Sequence, residues 1–154
     1  MKLISLLLFA GLLVFQATAQ TDIPQAVTKA FQTKFPTAQS VKWEEEDKGV
    51  YEAGFKQNGR KMSASFDATG NWQATETAIK KSALPDAVRS AVAKLFPGFE
   101  IDEAEKVESP DGLAFEVELE NESGDKEVEV EALFSAEGKL LKKSEAAEEE
   151  EEDD

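Results

Sequence analysis

A chain of 154 residues with no cysteine and no histidine, and with 32 acidic side chains against 17 basic ones, has a narrow chemical repertoire. Catalysis by Ser-His-Asp or Cys-His groups, histidine-ligated zinc and thiol chemistry are excluded. A formal charge of −15 repels nucleic-acid phosphates and anionic lipid, and favours solubility, cationic partners or divalent ions.

Met1-Lys2 opens the chain with a positive charge, Leu3 to Phe15 is an apolar run, and Ala17-Thr18-Ala19 gives a small-x-small pattern. Residues 1–19 therefore read as a signal peptide, with the mature chain starting at Gln20. The run is shorter than the roughly 20 apolar residues of a membrane span. No later segment is apolar enough to span, so no membrane insertion is expected after cleavage. Losing Lys2 leaves 16 basic residues against 32 acidic ones. A periplasmic or secreted location follows, and without disulfides or a lipoprotein cysteine the exported chain must rely on its hydrophobic core.

The remaining chain suits one compact domain or two small repeats sharing a core. Ile23 to Pro36 (IPQAVTKAFQTKFP) and Leu84 to Pro97 (LPDAVRSAVAKLFP) are the same stretch written twice, 61 positions apart. In the first, Ile23, Ala26, Val27, Ala30, Phe31 and Phe35 form one apolar stripe at helical spacing. Thr21 or Asp22 is the expected cap, with Pro24 in the first turn.

Strands follow. Val41 and Trp43, then Tyr51, Ala53 and Phe55, then Met62, Ala64 and Phe66 alternate with polar residues, the pattern of a strand with one buried face. Asn58-Gly59 is a two-residue hairpin turn that sets Phe55 opposite Met62, Ala53 opposite Ala64 and Tyr51 opposite Phe66. Asp67 to Asn71 reads as the next turn and Trp72 to Ile79 as a fourth strand, with Trp72 a core or rim residue.

The second copy repeats this order. Leu84, Ala87, Val88, Ala91, Val92, Leu95 and Phe96 form the stripe, and strand patterning resumes at Leu113 to Leu119 and Val128 to Phe134. Phe99 to Val107 is the least regular match to a first strand. Phe134 to Leu140 corresponds to Phe66 to Trp72. The expected fold is α+β: a tandem repeat of a helix followed by about four antiparallel strands, sharing an antiparallel sheet with two helices on one face. The expected divisions are 1–19 signal peptide, 20–82 first repeat, 83–143 second repeat and 144–154 a disordered acidic tail.

The repeated Ile/Leu-Pro-x-Ala-Val, the Phe-Pro that closes each helix and the Phe-x-x-x-Gly turn resemble the PepSY-like, β-lactamase-inhibitor-like domains of exported bacterial proteins. The resemblance covers Ile23 to Leu141 in two copies. It implies an exported protein with a shared antiparallel sheet and an open face for binding. No motif carries inhibitory residues over to this chain.

On the face away from the helices the repeats differ. The first is mixed (Lys42, Glu44, Glu52, Lys56, Lys61, Ser63, Ser65), whereas the second is Glu116, Glu118, Glu120, Glu127, Glu129 and Glu131. One register sets Glu120 beside Glu127, Glu118 beside Glu129 and Glu116 beside Glu131. A two-residue slip still places glutamate opposite glutamate, which is destabilising. These six residues are the candidate binding face for an unidentified protein or peptide, with a basic one favoured, or for weakly held divalent cations. A solvated face in a very acidic protein is the plain alternative.

No glycine-rich phosphate loop or EF-hand loop is present. Among so many carboxylates no catalytic pair stands out, so no catalytic residue and no cofactor are expected. The expected function is an exported, non-catalytic, inhibitor-like binding module. An acidic calcium-binding protein is the alternative, and a carboxylate-based hydrolase comes last.

Overall fold

The computed structural model describes residues 22–123 and 126–145. The expected signal peptide and residues 146–154 of the acidic tail lie outside the described residues. The elements run α1 (Gln25–Lys34), β1 (Gln39–Asp47), β2 (Val50–Gln57), β3 (Arg60–Asp67) and β4 (Trp72–Ala78), then a 3-10 turn (Lys81–Ala83). They continue with α2 (Asp86–Leu95), β5 (Glu100–Ser109), β6 (Gly112–Ser123), β7 (Lys126–Ser135) and β8 (Leu140–Glu145). The strands hydrogen-bond antiparallel in chain order, β1 through β8. This is the α+β fold that the doubled helix-and-strand pattern predicts.

By its contacts the chain divides into two units. The first holds the residues up to Ala78 together with Glu105–Leu113, and the second holds Ile79–Ala104 with the residues from Ala114 onward. The second half of β5 belongs to the first unit because Glu105 to Glu108 pair with Ala78 to Thr75 of β4.

Proline sets both ends of both helices. Pro24 and Pro85 are the N-cap residues themselves, extended at φ −56°, ψ 139° and φ −55°, ψ 143°. The carbonyl of Pro24 accepts from Val27 N and Thr28 N, and that of Pro85 from Val88 N and Arg89 N. No side chain caps either helix from these positions; the cap is Pro24 and not the expected Asp22, and Thr21 lies outside the described residues. A proline also keeps the residue before it out of the helical region. Phe35 before Pro36 and Phe96 before Pro97 accordingly leave the helix at ψ 64° and 63°.

In the first unit α1 covers the strand face carrying Ala53, Phe55, Ala64 and Phe66, with Val27 fully buried and Phe31 at the centre. The Phe31 ring meets those of Phe35, Trp43, Phe55 and Phe66 at 5.1–6.4 Å. In the second unit Val88, Val92 and Phe96 of α2 pack on Val117, Leu119, Ala132 and Phe134. Each fully buried Phe, Leu or Val contributes about 1.5–3 kcal/mol, and truncating one costs more because a cavity remains. These two cores take the place of disulfides.

The hairpin of β2 and β3 has the expected register, Tyr51 to Phe66, Ala53 to Ala64 and Phe55 to Met62. Asn58 and Gly59 both take positive φ, 52° and 74°, the requirement of a two-residue turn that matches strand twist. β8 takes in Ser144 and Glu145, two residues of the segment expected to be a disordered tail. They are held by pairing with Glu131 and Val130, and Ser144 Oγ donates to Glu131 Oε2 at 3.0 Å.

Candidate functional site

The polar sheet face of the second unit is built by β6, β7 and β8. Strand alternation places Phe115, Val117 and Leu119 in the core and turns Glu116, Glu118 and Glu120 the other way. β6 and β7 adopt the slipped register: Glu118 lies opposite Glu131 and Glu120 opposite Glu129, while Glu116 lies opposite Leu133. The unslipped pairing of Glu118 with Glu129 is therefore replaced. Glu127 sits opposite Glu122 along the backbone, and its side chain is outside the described ones. Lys142 faces Leu133 from β8, so a cation closes the Glu116 end of the face.

The six glutamates are not equivalent. Glu116 is buried at 9% exposure, whereas Glu118, Glu120, Glu129 and Glu131 are half-buried. Burial pushes the Glu118 carboxyl up to about 7, reinforced by the charges of Glu103, Glu129, Asp102 and Glu131. Asp102 of β5 joins the group. Its carboxylate and those of Glu118 and Glu120 offer oxygens that all lie within 4.8 Å of one another. Oxygens at that separation can share one calcium, which is bound at about 2.3–2.6 Å. Lys81 Nζ, 3.6 Å from Asp102 Oδ1, offsets part of the charge.

Asp102 and Glu103 were invisible to the alternation argument. β5 buries Ala104 and Val107 at a spacing of three, not two, so its sequence does not declare which residues share a face. The abundance of acidic residues nearby was the only available signal, and it does not discriminate.

The first unit shows what the second has changed. Matching the hairpins through Phe66 and Phe134 puts Glu52 in the place of Glu116, Gly54 of Glu118 and Lys56 of Glu120. Ser63 then matches Glu131 and Lys61 matches Glu129. Lys56 lies opposite Lys61 where Glu120 lies opposite Glu129, a reversal of charge at one position of the repeat. The cross-strand bond beside it is also exchanged. Ser63 Oγ of β3 donates to Glu76 Oε2 of β4 at 3.1 Å, whereas in the second unit the serine is on the last strand and the glutamate on β7.

Glu52 is a second perturbed carboxyl. Burial raises it to about 8, helped by a hydrogen bond with Glu46 and by the charges of Glu46 and Glu44, while Ser63 opposes the shift. Glu46 lies next to the register shift of β1 between Glu45 and Asp47. Two residues beyond Glu44, it shares that side of the strand, diagonal to Glu52. Trp72 behaves as a rim residue of the core, with Nε1 donating to Thr75 Oγ1 at 2.9 Å and Lys34 Nζ 3.9 Å from its ring centre.

No helix among the described residues is long and apolar enough to cross a membrane. The family model described as "Putative beta-lactamase-inhibitor-like, PepSY-like" matches residues 15–63 and 49–142. A BLIP-like protein of Bacteroides fragilis is similar at 30% identity and TM-score 0.62, with 80% of this chain and 86% of that one covered. DUF2874 family proteins of Bacteroides ovatus and Bacteroides uniformis, each 25% identical, give TM-scores of 0.67 and 0.68. They cover 79% of this chain and 86% and 88% of their own. No curated protein matches. Two matches of the family model, which together span most of the sequence, place this chain in the PepSY-like, β-lactamase-inhibitor-like family.

Proposed function

We propose that the chain is an exported, non-catalytic binding module whose acidic sheet face takes a basic protein or peptide partner. The observation that carries this reading is the pairing of Glu118 with Glu131 and Glu120 with Glu129. Like charges directly opposite each other on neighbouring strands are destabilising by roughly 0.2–1 kcal/mol per pair. Serine occupies one of these positions in the first repeat, so the fold does not demand the charge. A surface that accepts this cost is fitted to a positive counterpart. Glu116, Glu118, Glu120, Glu129 and Glu131 form that surface, with Glu127 continuing β7 beyond them. The BLIP-like name of the Bacteroides fragilis relative supports action by binding another protein. The leader-like residues 1–19 support a periplasmic or secreted location.

The test is affinity capture from envelope extract with the native chain and with Glu118→Gln/Glu131→Gln. A specific partner that is released by salt and lost with the double variant supports the reading. Capture indifferent to both contradicts it.

A second reading is favoured by one observation, the convergence of Asp102, Glu118 and Glu120. On this reading the face holds calcium. Calorimetric titration at millimolar Ca²⁺ decides: heat abolished by Asp102→Asn supports the ion, and absence of heat removes it.

A further inference from the structure

A groove in the first unit lies beside α1, on the helix side of its own strands. It has a volume of about 380 Å³ and is lined by Phe31, Phe35, Ala38, Val41 and Trp43. The second repeat explains why it is there. Ala38 corresponds to Phe99, which packs on the second core with its ring 6.1 Å from that of Phe96. Replacing that phenylalanine with alanine leaves the side of α1 uncovered.

β1 forms the outer wall, and it stands at the end of the strand order. Among the described residues no strand pairs with its outer side. Ser40 takes a positive φ of 55°, and β1 shifts register between Gln39 and Lys42. The irregularity leaves Val41 38% exposed at the groove. Bulges commonly re-aim a side chain beside a binding site.

Three features define the occupant. An unpaired strand edge offers backbone donors and acceptors to an extended segment. The groove is near the lower end of ligand-pocket volumes, enough for one or two apolar side chains. Beyond the groove β1 presents Glu44 and Glu45, both exposed, and the half-buried Glu46, against the single cation Lys42. We propose that the α1–β1 groove and the edge of β1 together bind an extended peptide segment that alternates apolar with basic residues.

The test uses the full chain with Trp72→Phe, which leaves Trp43 as the only tryptophan and a reporter inside the groove. Titration with the synthetic peptide Lys-Val-Lys-Phe-Lys-Val-Lys is expected to shift Trp43 emission to shorter wavelength and to saturate. Ala38→Phe, which copies the second repeat, and Val41→Lys, at an exposed position, should each weaken binding by about tenfold or more, the equivalent of one buried apolar side chain. A Glu-Val-Glu-Phe-Glu-Val-Glu peptide and a backbone N-methylated lysine peptide should give no shift. Glu118→Gln/Glu131→Gln should leave the response intact, which separates this site from the acidic face. No shift with the lysine peptide, equal response to both peptides, or binding that survives both groove variants would overturn the proposal. Emission that shifts with protein concentration alone would assign the groove to a second copy and overturn it equally.

Discussion

Gly70 lies against the backbone of Ala26: a Cβ placed on it would stand 2.6 Å from the Ala26 carbonyl oxygen. Gly138 lies in the same way against Ala87 of α2. The turn before the last strand of each repeat is therefore a point where backbone meets helix backbone directly, and the Phe-x-x-x-Gly spacing records that contact. Gly70 also takes φ +86°, so an alanine meets a strained backbone and a clash together. Gly70→Ala and Gly138→Ala should each cost about 2 kcal/mol or more in urea denaturation. Gly49→Ala, with φ +84° but open space around it, should cost only about 1–2 kcal/mol. Equal losses at all three would mean that the contact contributes nothing.

Asp67 holds the first of these turns. Its Oδ1 accepts from Thr69 N, Thr69 Oγ1 and Asn71 N, and its Oδ2 accepts from Asn71 Nδ2 at 2.8 Å. In the second repeat Ser135 replaces it, with the longer contact of 3.4 Å from Lys139 N to Oγ. Asp67→Ala should lower stability by about 1–2 kcal/mol and Ser135→Ala by less. A reversed order would show that the aspartate network is not what holds the turn.

The perturbed carboxyls give the chain an unusual pH profile. Glu52 and Glu118 ordinarily release a proton near 4.5, but in the fold they hold it until about 8 and about 7. Across that window the folded chain binds more protons than the unfolded one, so stability falls as pH rises. Asp67 works in the opposite sense. Its hydrogen bond from Thr69 and those from Asn71 hold it at about 2 against an ordinary 3.8, so its contribution is present above 3.8 and lost as pH falls toward 2. Melting temperature should peak between 3.8 and 4.5 and decline toward pH 8. Glu52→Gln should flatten most of that decline. A melting temperature that climbs from pH 4.5 to 8 would contradict the assignment.

How much of this was legible in the sequence differed from strand to strand, for physical reasons. Asn58-Gly59 fixes both the turn and the register of β2 with β3, so every cross-strand pair there could be read directly. β6 and β7 alternate glutamate with apolar residues over a long run, and a slip of two leaves that pattern unchanged. The identity of the face was therefore readable, but not which glutamate meets which. Asp102 escaped because it lies in an irregular strand, where strict alternation fails. The groove beside α1 appears only when Ala38 and Phe99 are set side by side in their two cores.

Quantitative capture of a partner by the Glu118→Gln/Glu131→Gln variant, set beside its urea stability, tests the central claim most directly. The acidic face as a binding surface predicts that stability rises, by up to about 1 kcal/mol for the relieved pair, while capture falls. Rising stability with capture unchanged would contradict it and leave the glutamates as a solvated surface.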